Sequence, residues 1–486
     1  MTLFLGLDVG TQGTKALLLD VSSREVVARA ARPYGLLNGL PPGSAEQDPR
    51  TWIDAAQAVT QEVLDAPGVD AAAIAAVGVS GQQHGLVVLD DAHEVVRPAK
   101  LWCDTSTAKE ARALSDRLGR SIPTGFTASK ILWLMEHEPE SWARTRHVLL
   151  PHDYVNFMLT GQLSMEAGDA SGTGFFDVER RAFDRKAMDV IDPRLAECVP
   201  SLLQPGEPAG EVSAAAAKRF GLAAGTLVAA GGGDNMMSAV GSGATEPGVV
   251  VVSLGTSGTV FTWSPEPVVD PQGLIASFCA STGGWLPLLC VMNLTSVTEE
   301  IRAAFPQHDL EMLSRAAADV PAGCEGLLLL PYLNGERVPD LPEATGALLG
   351  LRPGLLRAGH LFRAALEGTS LNLALGVDRL RALGAQVNDL RLVGGGAANP
   401  LWRSILADVM GVPVRRCVEM ESGALGAALC ACWTWTCAQG QDVSAHDVAA
   451  PCVALHDEVV EPDAARGRVY AEAKQQLAES TAQLFG

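Results

Sequence analysis

The sequence contains no run of lysines and arginines longer than a pair, and its 56 acidic residues outnumber 36 basic ones, for a formal net charge of −20. Nucleic acid and anionic membranes are bound through a basic stripe, so this balance argues against both. None of the ten cysteines forms a C-x-x-C pair, and the cluster Cys430, Cys432, Cys437 has no second His/Cys pair to complete a zinc site. The cysteines read as buried, reduced thiols. No apolar run of about 18 residues is free of breakers. No signal segment precedes Leu3–Val9, which already reads as a strand, so a cytoplasmic location is expected. A Walker A loop, a dinucleotide fingerprint and a catalytic-triad signature are all missing. What remains is a 486-residue chain, 48% hydrophobic, long enough for two or three domains with a large core. An acidic protein of this kind binds a polyphosphate only locally, through backbone N–H groups, helix N-termini, a few cations and a metal.

An internal repeat organises the chain. The apolar strand Leu3–Val9 is followed by Gly10-Thr11-Gln12-Gly13-Thr14 and a second strand over 15–20. Downstream, 249–254 (VVVVSL) is followed by Gly255-Thr256-Ser257-Gly258-Thr259 and a strand over 260–263. Both copies read strand, G-T-x-G-T, strand, as tight hairpins do. A second pair supports the first. The strand 227–230 enters Gly231-Gly232-Gly233-Asp234-Asn235, and 390–393 enters Gly394-Gly395-Gly396-Ala397-Ala398-Asn399. Two related α/β domains facing each other across a cleft are therefore expected, over 1–244 and 245–486, with the junction in the Gly/Pro-containing stretch 241–248. Helices are expected at 52–64, 108–118, 357–383 and 400–410, and a buried small-residue helix at 423–431.

Glycine-rich turns let a backbone approach phosphate closely. In the first hairpin Thr11 and Thr14 add hydroxyls, Lys15 adds charge, and Asp8 at the strand end suits Mg²⁺ held through water. Alone, the motif reads as an ordinary hairpin with a solvated Asp8 ahead of a phosphate loop; two copies at the starts of two halves reverse that order and favour a pair of phosphate loops. Ser253 stands where Asp8 would align, which suits one metal and two loops. Asp234 follows a triple glycine at a helix start. It reads either as an N-cap or as a general base taking a proton from a hydroxyl that attacks a γ-phosphate. In the second reading the helix N-terminus keeps it ionised at neutral pH. Gln82, Gln83 and His84 after the strand 74–79 suit a polyol site, or a structural histidine. Asp104 binds a hydroxyl or turns the chain. Asn399 caps a helix or touches a purine.

The segments GLDVGTQGTKALLLD (6–20), SGQQHG (80–85), LWCDTS (101–106), GFTASKILWL (125–134), DASGTGFFD (169–177), GGGDN (231–235), SLGTSG (253–258), PYLNGERVP (331–339) and GGGAANPLWRSILAD (394–408) occur in this order. As a set they resemble the FGGY family of carbohydrate kinases, within the actin-like ATPase superfamily, nearest to its xylulose-phosphorylating members. The resemblance implies two ribonuclease-H-like domains with a catalytic cleft between them: an N-terminal domain with the sugar site and first phosphate loop, and a C-terminal domain with the second phosphate loop and adenosine site. It implies Asp234 as catalytic base and Asp8 as the metal-associated acid. Thr11, Gly13 and Lys15 would form the first phosphate loop, with Thr14 beside them, and Gly255 and Thr256 the second. Gly395, Gly396 and Asn399 would form the adenosine loop. Gln83, His84, Asp104, Phe126 and Asn235 would hold the sugar. Where many bacterial members carry Met before the histidine and Asn before the Asp104 position, this chain has Gln83 and Cys103. The implied reaction is ATP- and Mg²⁺-dependent phosphorylation of D-xylulose to D-xylulose 5-phosphate. The partners are the ketose and ATP, without nucleic acid or membrane; a homodimer stays open. One rival is a kinase of the same family acting on ribulose, glycerol or gluconate. A second is an actin-like nucleotide-dependent binding or chaperone protein, which would usually add a peptide-binding domain.

Overall fold

The computed structural model describes residues 2–486. In LFLGLDV every residue except Asp8 is buried, on both faces of the strand, as befits a central strand covered on two sides. This strand, β1 (Leu3–Val9), pairs antiparallel with β2 (Gly13–Asp20), which pairs with β3 (Glu25–Pro33). On its other side β4 (Ile74–Gly81) runs parallel. With β5 (Pro208–Glu211) and β6 (Leu227–Ala229) the order is β5-β6-β4-β1-β2-β3, and the short strand Gly232–Gly233 also pairs with β4.

The second sheet repeats the plan. Its central strand β7 (Gly248–Leu254) pairs antiparallel with β8 (Gly258–Thr262), beyond which lie β9 (Ala276–Cys279) and β10 (Trp285–Val291). On the other side β11 (Val387–Val393) and β12 (Val414–Arg416) run parallel to it, giving the order β9-β10-β8-β7-β11-β12. The repeat read from the two G-T-x-G-T segments is therefore a repeat of sheet topology, the ribonuclease-H-like plan expected twice over. The hairpins differ in one detail. Val9 pairs with Thr14, whereas Leu254 pairs with Gly258, so the second turn is one residue tighter.

Side chains alternate across each strand, and that alternation sorts the layers. Leu3, Leu5, Leu7 and Val9 face a core with Trp52, Ile53 and Val59 of α1 (Pro49–Leu64). Helices α2 (Ala108–Leu118) and α3 (Thr127–His137) pack around a satellite cluster with Phe175 and Met188, while α4 (Pro151–Thr160) joins α1. Val250, Val252 and Leu254 face a third core with Phe362 and Leu366 of helix Ala358–Ala382 and Trp402 of helix Pro400–Met410. The opposite faces, with Phe4 from β1 and Val249 and Val251 from β7, share one cluster with α5 (Asp234–Gly241) and α6 (Ser422–Ala438). The two sheets thus enclose a common middle layer.

Helix α6 reads SGALGAALCACWTWTCA and is buried from Ala424 through Thr434, because it is apolar around its whole circumference. It comes from the second half of the chain yet lies against the first sheet. A β-carbon on Gly6 would stand 1.9 Å from the carbonyl oxygen of Ala424, and one on Gly78 2.0 Å from that of Ala427. Across the α5 contact, a β-carbon on Gly241 would stand 2.0 Å from the Ser422 carbonyl and one on Gly426 1.7 Å from that of Met237. Only hydrogen fits at these four places, so backbone packs on backbone. Gly78→Ala should therefore destabilise by about 1–3 kcal/mol or more through overpacking, read as a lower Tm. Gly35→Ala, where an added carbon meets nothing within 4 Å, should leave Tm unchanged.

Candidate active site

Strand pairing brings the predicted turns to common edges. Val9 and Gly233 both pair with Gly81, so the turn 10–13, the segment 82–85 and the start of α5 leave the same end of the first sheet. Ser253 pairs with Val393, so the turns at 255–257 and 394–396 also leave one end together. Residues 417–421 connect the end of β12, beside Leu392 of β11, to the start of α6. There Glu421 forms an ion pair with Lys15. A β-carbon on Gly423 would stand 3.0 Å from the Asp8 carboxylate. This link sets the segment that leaves the second sheet against the first turn, at the carboxyl ends of parallel strands, where α/β sheets bind ligands in a cleft.

In the first turn, Asp8 Oδ1 accepts a hydrogen bond from Ser80 Oγ at 2.7 Å. Burial raises its carboxyl above the ordinary carboxylate range, against the Ser80 bond and the Lys15 charge. Thr11 Oγ1 donates to Gln82 Oε1 at 3.0 Å and accepts from Trp102 Nε1 at 2.9 Å. Gln47 Nε2 donates to the Thr11 carbonyl at 2.7 Å. The turn is thus braced by amide and indole groups from three separate segments. Thr14 departs from expectation. It is fully buried, its hydroxyl 3.1 Å from Tyr34 Oη, which donates to the Gly10 carbonyl at 2.8 Å. Its hydroxyl holds the turn from behind and is not offered to the cleft.

Asp234 begins α5 and Gly233 occupies the N-cap position. Asp234 Oδ1 accepts from the Asn235 backbone at 2.8 Å and from Asn235 Nδ2 at 3.1 Å; the same Nδ2 donates to Gln83 Oε1 at 2.5 Å. Burial, with the Asp8 and Asp169 carboxylates nearby, pushes Asp234 up to about 8. The expectation of an ionised Asp234 at neutral pH is overturned: an eight-residue helix contributes less than desolvation and two like charges.

His84 adopts a left-handed conformation, φ 61°, a strain that a non-glycine residue carries only where its surroundings hold it. They do so here from every side. Its carbonyl accepts from Thr127 Oγ1 at 3.1 Å and Lys130 Nζ at 2.6 Å. Its backbone N–H donates to Asp169 Oδ1 at 3.2 Å, and its ring Nδ1 lies 3.1 Å from the same oxygen. Phe126 and, from the second half, Phe278 flank the ring at 5.0 and 5.4 Å. The ring fits because residue 172 is glycine: a β-carbon there would stand 1.8 Å from His84 Cε1.

Asp169 was not singled out by sequence reasoning, although it lies in the segment DASGTGFFD. Its second oxygen is 3.1 Å from His152 Nδ1, whose other nitrogen is 3.0 Å from Asp153 Oδ1. Burial alone would raise Asp169, but the bonds from His152 and His84 overcome it and hold the acid at about 2. Burial works against a charged His152, yet Asp153 and Asp169 lift it well above the ordinary imidazole value. Burial lowers Lys130 to about 7.

Asp104 is a second departure. It is fully buried, and Ala45 N, Lys100 Nζ, Ser106 N and Ser106 Oγ occupy its oxygens at 2.9, 3.1, 3.0 and 2.5 Å. Of the two roles open to it, it turns the chain. In the second half, the Gly255 and Thr256 carbonyls accept from Thr295 N at 3.0 Å and Leu294 N at 3.2 Å, which fixes that turn. Gly395 has open space beside it, and Gly396 packs on Leu254 and Trp402. Asn399 caps the following helix through Leu401 N and Trp402 N at 3.0 and 3.2 Å, and its amide donates to Ser314 Oγ at 3.0 Å.

Residues 3–241 match the N-terminal domain of the FGGY family of carbohydrate kinases, and residues 250–435 its C-terminal domain. The chain is 39% identical to a xylulose kinase of Haemophilus influenzae over 447 residues, 89% of this chain and 90% of that one. Its fold matches the crystal structure of a xylulose kinase from Rhodospirillum rubrum with a TM-score of 0.88 at 30% identity over 99% of each chain. A gluconate kinase from Lactobacillus acidophilus shares the fold at a TM-score of 0.92 and 24% identity, over 100% of this chain and 98% of that one.

One outcome follows for the buried network. An amide at position 169 presents an NH₂ to one of the two imidazoles that an acid accepts from, and leaves His152 short of a counter-charge. Asp169→Asn should cost about 3–5 kcal/mol, seen as a lower Tm; an unchanged Tm would count against the network.

Proposed function

The chain belongs to the FGGY family of carbohydrate kinases, and on that premise we propose that it transfers the γ-phosphoryl group of ATP to D-xylulose, giving D-xylulose 5-phosphate, with Asp234 as general base. The observation that carries the reading is the placement of Asp234: an acid at a helix start, at the strand end shared with the turn 10–13, bonded to Asn235, which donates in turn to Gln83; burial beside two carboxylates raises its carboxyl to about 8. A base is most effective when its pKa lies near the working pH. Likeness to xylulose kinases supplies the ketose.

The terminal hydroxyl of the sugar attacks the γ-phosphorus. The new O–P bond forms as the bond to the ADP oxygen breaks, and the hydroxyl proton passes to Asp234. Such transition states are loose, so positioning and charge stabilisation contribute most. Gln83, His84, Asn235 and Phe126 hold the sugar; the Asp169 and Lys130 contacts keep His84 in its strained pose. The Asp169 carboxylate, with Oδ1 3.1 Å from His84 Nδ1, favours a proton on that nitrogen, which leaves Nε2 to accept from a sugar hydroxyl. Backbone N–H groups at Thr11 and Gly13 with Lys15 on one side, and at Gly255 and Thr256 on the other, receive the phosphates. The adenosine lies along the bare backbone of Gly395 and Gly396, with Asn399 ordering the turn beneath it.

Mg²⁺ fits beside Asp8. One oxygen of that acid is bonded to Ser80, and glycine at 423 leaves its carboxylate uncrowded. The like charge it presses on Asp234 marks a place where a cation is favourable. When bound, the ion would supply charge neutralisation for the phosphates. Closure of the two halves would exclude water. No helix among the described residues is long and apolar enough to cross a membrane, and a cytoplasmic enzyme acting on diffusible substrates fits the reading.

Three measurements test it. Asp234→Asn should lower kcat roughly 10²–10⁴-fold with nucleotide binding retained. In the parent protein kcat/KM with MgATP as the varied substrate, which reports the free enzyme, should fall as pH drops below about 8, because Asp234 must be unprotonated to accept a proton; near-normal turnover in the variant would retire it as the base. The shared gluconate-kinase fold shows that architecture alone does not choose the sugar. A coupled ADP-release assay across xylulose, ribulose, glycerol and gluconate should therefore give its highest kcat/KM with xylulose; a stronger response to another sugar would reassign the substrate.

A further inference from the structure

The far end of α3 holds a group that catalysis does not use. Glu110, in the first turn of α2, is 2% exposed, and its Oε2 is buried without a hydrogen-bond partner. A buried carboxylate oxygen left unpaired is costly. Next to it, at the last turn of α3, stand Glu136 and His137; one ligating atom from each of the three residues lies within 4.8 Å of the others. His137 is already oriented. Its Nδ1 is 3.0 Å from the Trp133 carbonyl and its ring stacks on Trp133 at 4.9 Å and 15°. A carbonyl only accepts, so the proton sits on Nδ1 and the Nε2 lone pair is free. That is the arrangement by which a backbone carbonyl fixes the tautomer of a metal-binding imidazole. The C-terminal end of α3 adds negative potential from its free carbonyls. Trp133 is itself pinned on its other contacts by Lys100, whose Nζ lies 3.9 Å from the ring centroid.

We propose that Glu110, Glu136 and His137 bind a divalent first-row transition-metal ion. Two carboxylate oxygens and one imidazole nitrogen favour such ions over Mg²⁺ or Ca²⁺, which prefer all-oxygen shells. Three protein ligands leave further positions to water. Among the described residues the one ion pair Glu136 makes is with Lys109 at 3.6 Å, 77% exposed, a surface pair of small worth. The bound ion tethers α2 to α3. It acts roughly 15 Å along α3 from the end that presents Phe126 and Lys130, so the site is separate from the cleft.

The test is a titration of metal-stripped full-length protein with Co²⁺, with Mg²⁺ present at a level that saturates turnover. Heat and visible d–d absorption should report one saturable site without thiolate charge-transfer bands. His137→Ala and Glu136→Gln, both at exposed positions, should each weaken it at least about tenfold. Isotherms that are the same in parent and both variants, a spectrum dominated by thiolate ligation, or no saturable site below millimolar Co²⁺ would each overturn the proposal.

Discussion

Everything at the cleft depends on the approach of α6 to the first sheet and to α5 without side chains between them. Gly6, Gly78, Gly241 and Gly426 each stand where a β-carbon would meet a carbonyl oxygen at 2.0 Å or less. The consequence is positional. Phe4, Gly6 and Asp8 share one face of β1; with Gly6 against Ala424, the acid two residues on comes to rest above Gly423 and opposite Lys15 and Glu421. The same contact sets α5, and therefore Asp234, relative to the strand ends.

Charge is then distributed by environment more than by sequence. Asp169 and Asp234 are the same residue type, yet the two imidazoles facing Asp169 hold it at about 2, while burial beside other carboxylates raises Asp234 to about 8. Environments that push two acids apart in this way leave one a permanent anion that orders the site and the other, the proposed base, able to hold a proton near neutral pH. Within a chain of net charge −20, the few basic groups of the site are placed individually. Lys130 is under the His84 carbonyl, His152 between Asp153 and Asp169, and Lys15 at the hairpin.

The parts of this protein governed by local pattern were legible beforehand. Two apolar runs each followed by G-T-x-G-T gave two hairpins, and the small apolar stretch 423–431 gave a buried helix, because period and turn chemistry act over a few residues. Roles that depend on partners far along the chain were not. Thr14 and Asp104 have the right chemistry for ligand contact, but Tyr34, and Ala45 with Lys100 and Ser106, had already claimed their polar atoms. Asp169 lay in a recognisable segment, yet nothing local announces that it will meet His84 and His152. The helix-dipole argument for Asp234 failed for the same reason: the acids that oppose it arrive from β1 and from the segment 167–170.

The placement of α6 also bears on how the chain is made. During synthesis the first sheet emerges early, but the helix that covers its inner face is among the last segments to appear. Until then Phe4, Leu17, Leu19 and Ala76, which share a cluster with α5 and α6, lack the cover that α6 gives. The nascent N-terminal half therefore carries a partly open apolar face until that helix is made, a state prone to wrong association.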